Sequence, residues 1–105
     1  MVKLKIDDFQ FDWDEVKNSE NIRKHDIAFN VAATIWSNPE KVLDIADERF
    51  DYKEERWIAL GPLPDDDSRI IAVAYCDRGP NIRIISSRHA EKQEEIAYRK
   101  RMMRR

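Results

Sequence analysis

The chain has 105 residues, 42% hydrophobic and 38% charged, which is enough for one domain and too little for two independent cores. Two glycines, four prolines and 10% aromatic residues argue against a long disordered tract, and no window approaches the ~18 apolar residues of a membrane-spanning helix. Charge is unevenly divided: residues 83–105 carry eight basic and three acidic side chains, leaving 11 basic and 18 acidic for the rest. A basic end on an acidic body suits a nucleic acid or an acidic partner, the plainer reading being a solvated tail.

Met1 to Lys5 runs into Asp7-Asp8 with no apolar stretch, so no secretory signal is expected. The one cysteine, Cys76, has no internal disulfide partner, and a reducing, cytoplasmic setting is expected. Asp12 with Glu15 three residues on reads as a helix N-cap, and Phe11 and Val16 are spaced for a hydrophobic staple across it. A helix is predicted from about Trp13 to Lys24. His25-Asp26 breaks the pattern, and Phe29, Ala32, Ala33 and Trp36 recur at helical spacing, predicting a second helix over Phe29–Ser37. Pro39 forces Asn38 out of the helical region and ends it.

The second half reads as strands. Leu43 and Ile45 flank Asp44, predicting a strand near 42–47. Trp57–Leu60 predicts another, stopped by Gly61-Pro62. Ile70–Tyr75 is a continuous apolar run, best suited to a strand buried on both faces. The turn Arg78-Gly79-Pro80-Asn81 leads to a fourth strand, Ile82–Ile85. Short connections favour an antiparallel meander. From Ala90, Glu, Lys, Gln, Arg and Met dominate and predict a last helix. The expected architecture is α+β, a single domain over 1–105 with two N-terminal helices, a four-stranded mainly antiparallel sheet and a C-terminal helix.

Three segments carry a family resemblance. Phe11-Asp12-Trp13-Asp14 followed by Lys17, Asn21 and Lys24-His25 resembles the opening of the BrnT toxins. Glu54-Glu55-Arg56-Trp57-Ile58-Ala59-Leu60-Gly61 resembles their central strand. Arg78-Gly79 with Ile82-Arg83-Ile84-Ile85-Ser86-Ser87-Arg88 resembles their R-I-I-S-A-R strand. The likeness covers residues 11 to about 98 and leaves a basic tail, 99–105, outside it. It departs at Ser87, where the family has Ala, at His89, where it has Lys, and near Ala28 and Asn30, where a Ser or Thr cap and an acidic residue are missing. The resemblance implies a RelE-like fold, ribonuclease activity without a cofactor or metal, and a BrnA-like antitoxin of the ribbon-helix-helix type.

Metal-independent RNA cleavage needs a base for the 2′-OH proton, an acid for the leaving 5′ oxygen, and cations on the phosphate. Arginine suits the last role through its planar, permanently charged fork, and imidazole suits the proton transfers. The catalytic candidates are therefore His25, Glu55, Arg56, Arg83, Arg88 and His89. Lys24, Trp57 and Lys92 are candidates for binding RNA through charge or base stacking. Each has a structural alternative: His25 and Lys24 as helix-end charges, Trp57 in the core, Glu55 holding an arginine. Strand alternation puts Arg83 and Arg88 on opposite faces unless a bulge intervenes or the strand ends early. No set of four metal ligands and no Gly-rich phosphate loop is present, and a lone Cys without a clear base argues against thiol catalysis. The resulting expectation is a ribonuclease toxin that inhibits translation and growth until its antitoxin neutralises it. The alternative is a non-catalytic protein- or nucleic-acid-binding domain on the same fold.

Overall fold

The first thirteen residues form a hairpin where the sequence reading placed a helix start. In the computed structural model, which describes residues 1–48 and 53–103, β1 (Val2–Ile6) pairs antiparallel with β2 (Phe9–Trp13). Val2, Leu4 and Ile6 alternate with exposed Lys3 and Lys5, the period-two signature of a half-buried strand. Asp12 is therefore a strand residue, and the helix cap falls to Asp14, whose carboxylate accepts from the Val16 N–H at 2.8 Å. The expected staple does not form, because Phe11 is buried in the core and Val16 is 67% exposed.

Helix α1 runs Glu15–His25 and closes on Asp26, which takes a left-handed φ of 57° and donates its N–H to Ile22 O. The second helical segment matches its predicted range: α2 (Phe29–Ala32) tightens into a 3₁₀ turn over Ala33–Ser37. Then follow β3 (Leu43–Ala46), β4 (Trp57–Leu63), β5 (Asp66–Arg78), β6 (Asn81–His89) and α3 (Lys92–Met103). The predicted meander of four strands is present, but the sheet has six strands in the order β1-β2-β6-β5-β4-β3. All neighbours are antiparallel except β2 and β6, which run parallel from Gln10↔Asn81 to Asp12↔Arg83. The sheet is thus mixed. Gly61-Pro62 does not stop β4. Pro62 can sit in the strand because β3 pairs only as far as Leu60, so its missing N–H faces an unpaired edge. At Gly61 the Cβ of another residue would approach Ile35 Cβ to 3.3 Å, so the 3₁₀ turn rests directly on β4 there.

The two faces of the sheet carry different cores. One face packs Trp13, Ala59, Val73, Tyr75 and Ile84 against Phe29, Ile35 and Trp36. Trp36 stands edge-on to both Phe11 and Tyr75, with ring centroids 5.2 and 5.5 Å away, a favoured aromatic arrangement. The other face packs Ile58, Leu60, Ile70 and Ala72 against Tyr98 and Met102 of α3, and Tyr98 Oη donates to Lys41 O at 2.6 Å.

Helix α1 is seated differently. Its buried residues are Asn18 and Asn21. Asn18 Oδ1 accepts from Phe29 N at 2.9 Å. Asn21 pairs with both backbone groups of Ser87: Ser87 N donates to Asn21 Oδ1 at 3.0 Å and Asn21 Nδ2 donates to Ser87 O at 2.8 Å. The carboxamide thus acts as a peptide unit, continuing the β6 ladder where β2 has ended. Asn21→Ala would leave both backbone groups of Ser87 without partners, at ~1–3 kcal/mol each, and would leave Ile27 O only the longer bond from Ser87 Oγ. We expect a loss of about 2–4 kcal/mol in urea unfolding, against ~1 kcal/mol for Ser87→Ala, which keeps both backbone bonds. Equal effects of the two substitutions would contradict this account.

Candidate active site on the arginine face

Strand β6 does not alternate uninterrupted. Opposite β5 the register runs Cys76↔Arg83, Tyr75↔Ile84, then Ala74↔Ser86 and Ala72↔Arg88, so Ile85 is an extra residue in a bulge. The bulge resets the parity. Arg83, Ser86 and Arg88 all stand on the face that carries Cys76, Ala74 and Ala72. Arg83 and Arg88 are opposite residues four apart on β5, about 13 Å along the strand, and the floor between them is made of small side chains, Ala74 and Ser86. Arg56 precedes β4 in phase with Ile58 on this same face, and its charge is felt by both Glu54 and Cys76.

Carboxylates fix these cations. Asp12, directly across from Arg83 in the parallel pair, accepts from Arg83 Nε, and this bond pushes the Arg83 guanidinium further up from its already high range. The Asp12 side chain is 8% exposed and that of Arg83 24%. Arg88 holds Glu94 through both nitrogens of its fork, at 2.6 and 3.1 Å. Glu94 Oε1 also accepts from the Glu91 backbone N–H at 2.8 Å, the reach-back contact of a capping box, so one carboxylate starts α3 and orients Arg88. Arg78 binds Glu54 at 2.9 Å. Glu54 lies below the usual carboxylate range, first because it accepts from the Cys76 thiol and next because of Arg78. Burial, followed by that same bond, pushes the Cys76 thiol up, which suits a structural role better than a nucleophilic one.

The other sequence candidates are distributed around this face. His25 ends α1, exposed, and lines a seam between α1 and β6 with Lys17, Lys24, Ile85 and Ser86, so it borders the arginine face through Ser86. His89 lies on the opposite face, across from Ile71, where Arg69 Nη2 meets its Nε2 at 2.8 Å. Glu55 and Trp57 are also on that opposite side, lining an acidic groove with Asp44, Tyr75 and Asp77. There burial, reinforced by the 2.7 Å bond to Asp44, pushes the Tyr75 hydroxyl far up. Lys92 is the exposed first residue of α3. Sequence reasoning missed Asp12, Glu54, Arg78 and Glu94. Glu94 had a readable signal, a Glu three residues after Glu91 at a helix start, whereas Asp12 was hidden by the misplaced cap. Among the described residues no cluster of three or more His, Cys, Asp or Glu side chains is placed to hold a metal ion, and no helix is long and apolar enough to cross a membrane.

A mixed sheet with carboxylate-held arginines on one face presents fixed cations of the kind that hold phosphate groups. Comparison with known proteins gives the class directly. The family of the ribonuclease toxin BrnT of type II toxin–antitoxin systems matches residues 13–94. The crystal structure of the Brucella abortus ribonuclease toxin BrnT is similar at 28% sequence identity, with a TM-score of 0.55, covering 76% of this chain and 94% of that one. Among curated proteins, none matches the chain. The chain is a ribonuclease toxin of a type II toxin–antitoxin system, and so has an antitoxin partner. It belongs to the BrnT family.

The dual role of Glu94 is testable without RNA. Glu94→Ala removes the helix-start contact and the partner of a part-buried Arg88, and should cost about 1–3 kcal/mol of unfolding free energy, the sum of a lost cap and a charge-assisted bond. Glu94→Gln, which keeps the cap acceptor, should recover roughly half of that. Identical stabilities of the two variants would show that the cap contributes nothing.

Proposed function

We propose that the arginine face is the ribonuclease site and that the protein is a metal-independent endoribonuclease which inhibits translation and growth. The observation that carries this reading is the Ile85 bulge, which sets Arg83 and Arg88 over a floor of Ala74 and Ser86, with Arg56 on the far side of β5, just ahead of β4. Arginine forks on two sides of a shallow floor can hold the non-bridging oxygens of one phosphate and stabilise the charge that builds up as the 2′-oxygen attacks. Attack forms the 2′-O–P bond and breaks the bond to the 5′ oxygen, leaving a cyclic phosphate end and a 5′-hydroxyl. The 2′ proton passes to a base and the 5′ oxygen receives one from an acid. Of the two imidazoles, His25 is the one bordering this face, and we assign it the proton transfer. Asp12 and Glu94 are positioning residues that aim Arg83 and Arg88. Purified protein should generate RNA fragments with cyclic phosphate ends, whereas a purely binding domain would leave RNA intact.

The antitoxin fits the same surface. A BrnA-like ribbon-helix-helix partner that offers its own carboxylates to Arg83 and Arg88 at the junction of β6 and α3 would block RNA and be drawn in by charge.

The arginine and its carboxylate must be tested together. Arg83→Ala leaves Asp12 buried and unpaired, which typically costs 3–5 kcal/mol of stability, so lost activity alone would be ambiguous. The double variant Asp12→Asn with Arg83→Gln removes both charges while retaining hydrogen-bonding groups. It should stay folded and cleave about 10²-fold more slowly, the usual effect of losing one oriented transition-state donor. A folded double variant cleaving at the wild-type rate removes Arg83 from the site.

The two histidines separate by face. His25→Gln should abolish most of the cleavage activity and, since His25 is exposed, leave the thermal midpoint nearly unchanged. His89→Gln should leave cleavage unchanged, since His89 points away from the arginine face. The reverse pattern would refute the assignment.

A further inference from the structure

The motif residues Lys17, Asn21, Lys24 and His25 recur at i, i+4, i+7 and i+8, which puts them on one side of α1. Asn21 is fully engaged with Ser87 and Ile27 O. The other three surround it in a seam of about 230 Å³, closed on the far side by Ile85 and Ser86 and containing one carboxylate, Glu20. The ion pairs among the described residues do not include Lys17, Lys24 or His25. The helix dipole accounts for cations in the last turn, where Lys24 and His25 stand. It does not account for Lys17, the third residue of α1, where a positive charge meets the positive end of the helix.

The seam continues from the arginine face. Ser86 belongs to both: it stands opposite Ala74 between Arg83 and Arg88, and it lines the seam beside Lys17 and Lys24. The bulge at Ile85 and the end of β2 at Trp13 leave this stretch of the β6 edge to α1 alone. Arg83 and Ser86 are opposite residues two apart on β5, about 7 Å along the strand, so a chain lying across both would bring neighbouring phosphates under the two sets of cations. At about 230 Å³ the seam is smaller than the ~300–1,000 Å³ typical of whole-ligand pockets. That size suits one phosphate of a polymer passing over it and leaves no room for a nucleoside held inside.

We propose that the α1–β6 seam is a second phosphate-binding subsite, in which Lys17 and Lys24 take the RNA phosphate flanking the scissile one on the arginine face. This rests on the ribonuclease reading and extends it: the toxin grips its substrate along a track that turns over the edge of β6, so affinity depends on RNA length. Phosphate contacts of this kind set position and affinity without reading sequence.

The test measures binding of 2′-O-methyl RNA, which lacks the attacking hydroxyl, as a dinucleotide and as a hexanucleotide across a salt series. Each single-strand phosphate contact contributes about 0.7 to the slope of log affinity against log salt. Lys17→Ala with Lys24→Ala should therefore lower the hexanucleotide slope by about 1.4. It should also weaken hexanucleotide binding at low salt by at least tenfold, while dinucleotide binding changes far less. Lys17→Arg with Lys24→Arg should restore the slope. Both lysines are exposed, and the thermal midpoint of the alanine variant should match the wild type. A wild-type slope in the alanine variant, or equal losses for dinucleotide and hexanucleotide, would overturn the subsite while leaving the arginine face standing. A wild-type protein that binds neither RNA would overturn both proposals.

Discussion

Two hydrogen bonds between one asparagine side chain and one strand residue determine where the first helix sits. Helix α1 brings no buried apolar side chain to the body of the protein; Val16 and Ile22 are 67% and 41% exposed. Its attachment is polar and directional, through Asn21 to the N–H and C=O of Ser87 and Asn18 to Phe29 N. A hydrophobic stripe would allow the helix to slide or roll by a fraction of a turn. A carboxamide filling one vacant position of a strand ladder does not, because both its donor and its acceptor are committed. Everything that α1 presents toward β6, including His25 and the lysines, inherits that fixed position. Ser87, where the family has Ala, adds its hydroxyl to the same junction, at 2.8 Å from Asn21 Nδ2.

The consequence for chemistry is that a helix rich in charge can be held close to a sheet without neutralising its charges. Ordinary amphipathic packing would spend the facing side of α1 on leucines and valines. Here that side is free to carry cations, with only two buried asparagines beneath. The arginine face works similarly. Asp12 and Glu94 each come from a different element, β2 and the first turn of α3, and each immobilises one arginine. Three elements distant in sequence must therefore be in place before the cations line up, and the site is complete only in the folded chain.

Much of the fold was legible, and the failures have identifiable causes. The four strands from Leu43 to His89 were announced by apolar runs and turn residues, and the segment Phe29–Ser37 by its helical spacing. The β1–β2 hairpin is obscured in the sequence because Asp12-Trp13-Asp14-Glu15 contains two possible caps. A cap at Asp14 leaves Val2–Trp13 as alternating strands. The parallel pairing of β2 with β6 joins residues about seventy apart, which no local pattern encodes. In the candidate site, arginines 56, 83 and 88 stand out by type and motif, whereas Asp12, the partner of Arg83, gives no local signal because that contact is tertiary. Glu55, a candidate base, and Trp57, a candidate stacking platform, flank Arg56 in sequence and line the groove on the opposite side of the sheet.

The bulge at Ile85 makes β6 a strand in which counting matters. Upstream of it, odd-numbered positions share a face with Cys76; downstream, even-numbered ones do. Were Ile85 to pair with Ala74 in place of bulging out, composition and hydropathy would be unchanged, yet Ser86, Ser87, Arg88 and His89 would each rotate to the opposite side. Ser87 would then stand opposite Ala72, where Arg88 does, and the backbone groups that receive Asn21 would belong to Ser86. In any alignment of this strand, a gap at Ile85 therefore preserves both faces, whereas an ungapped match to a regular strand exchanges them.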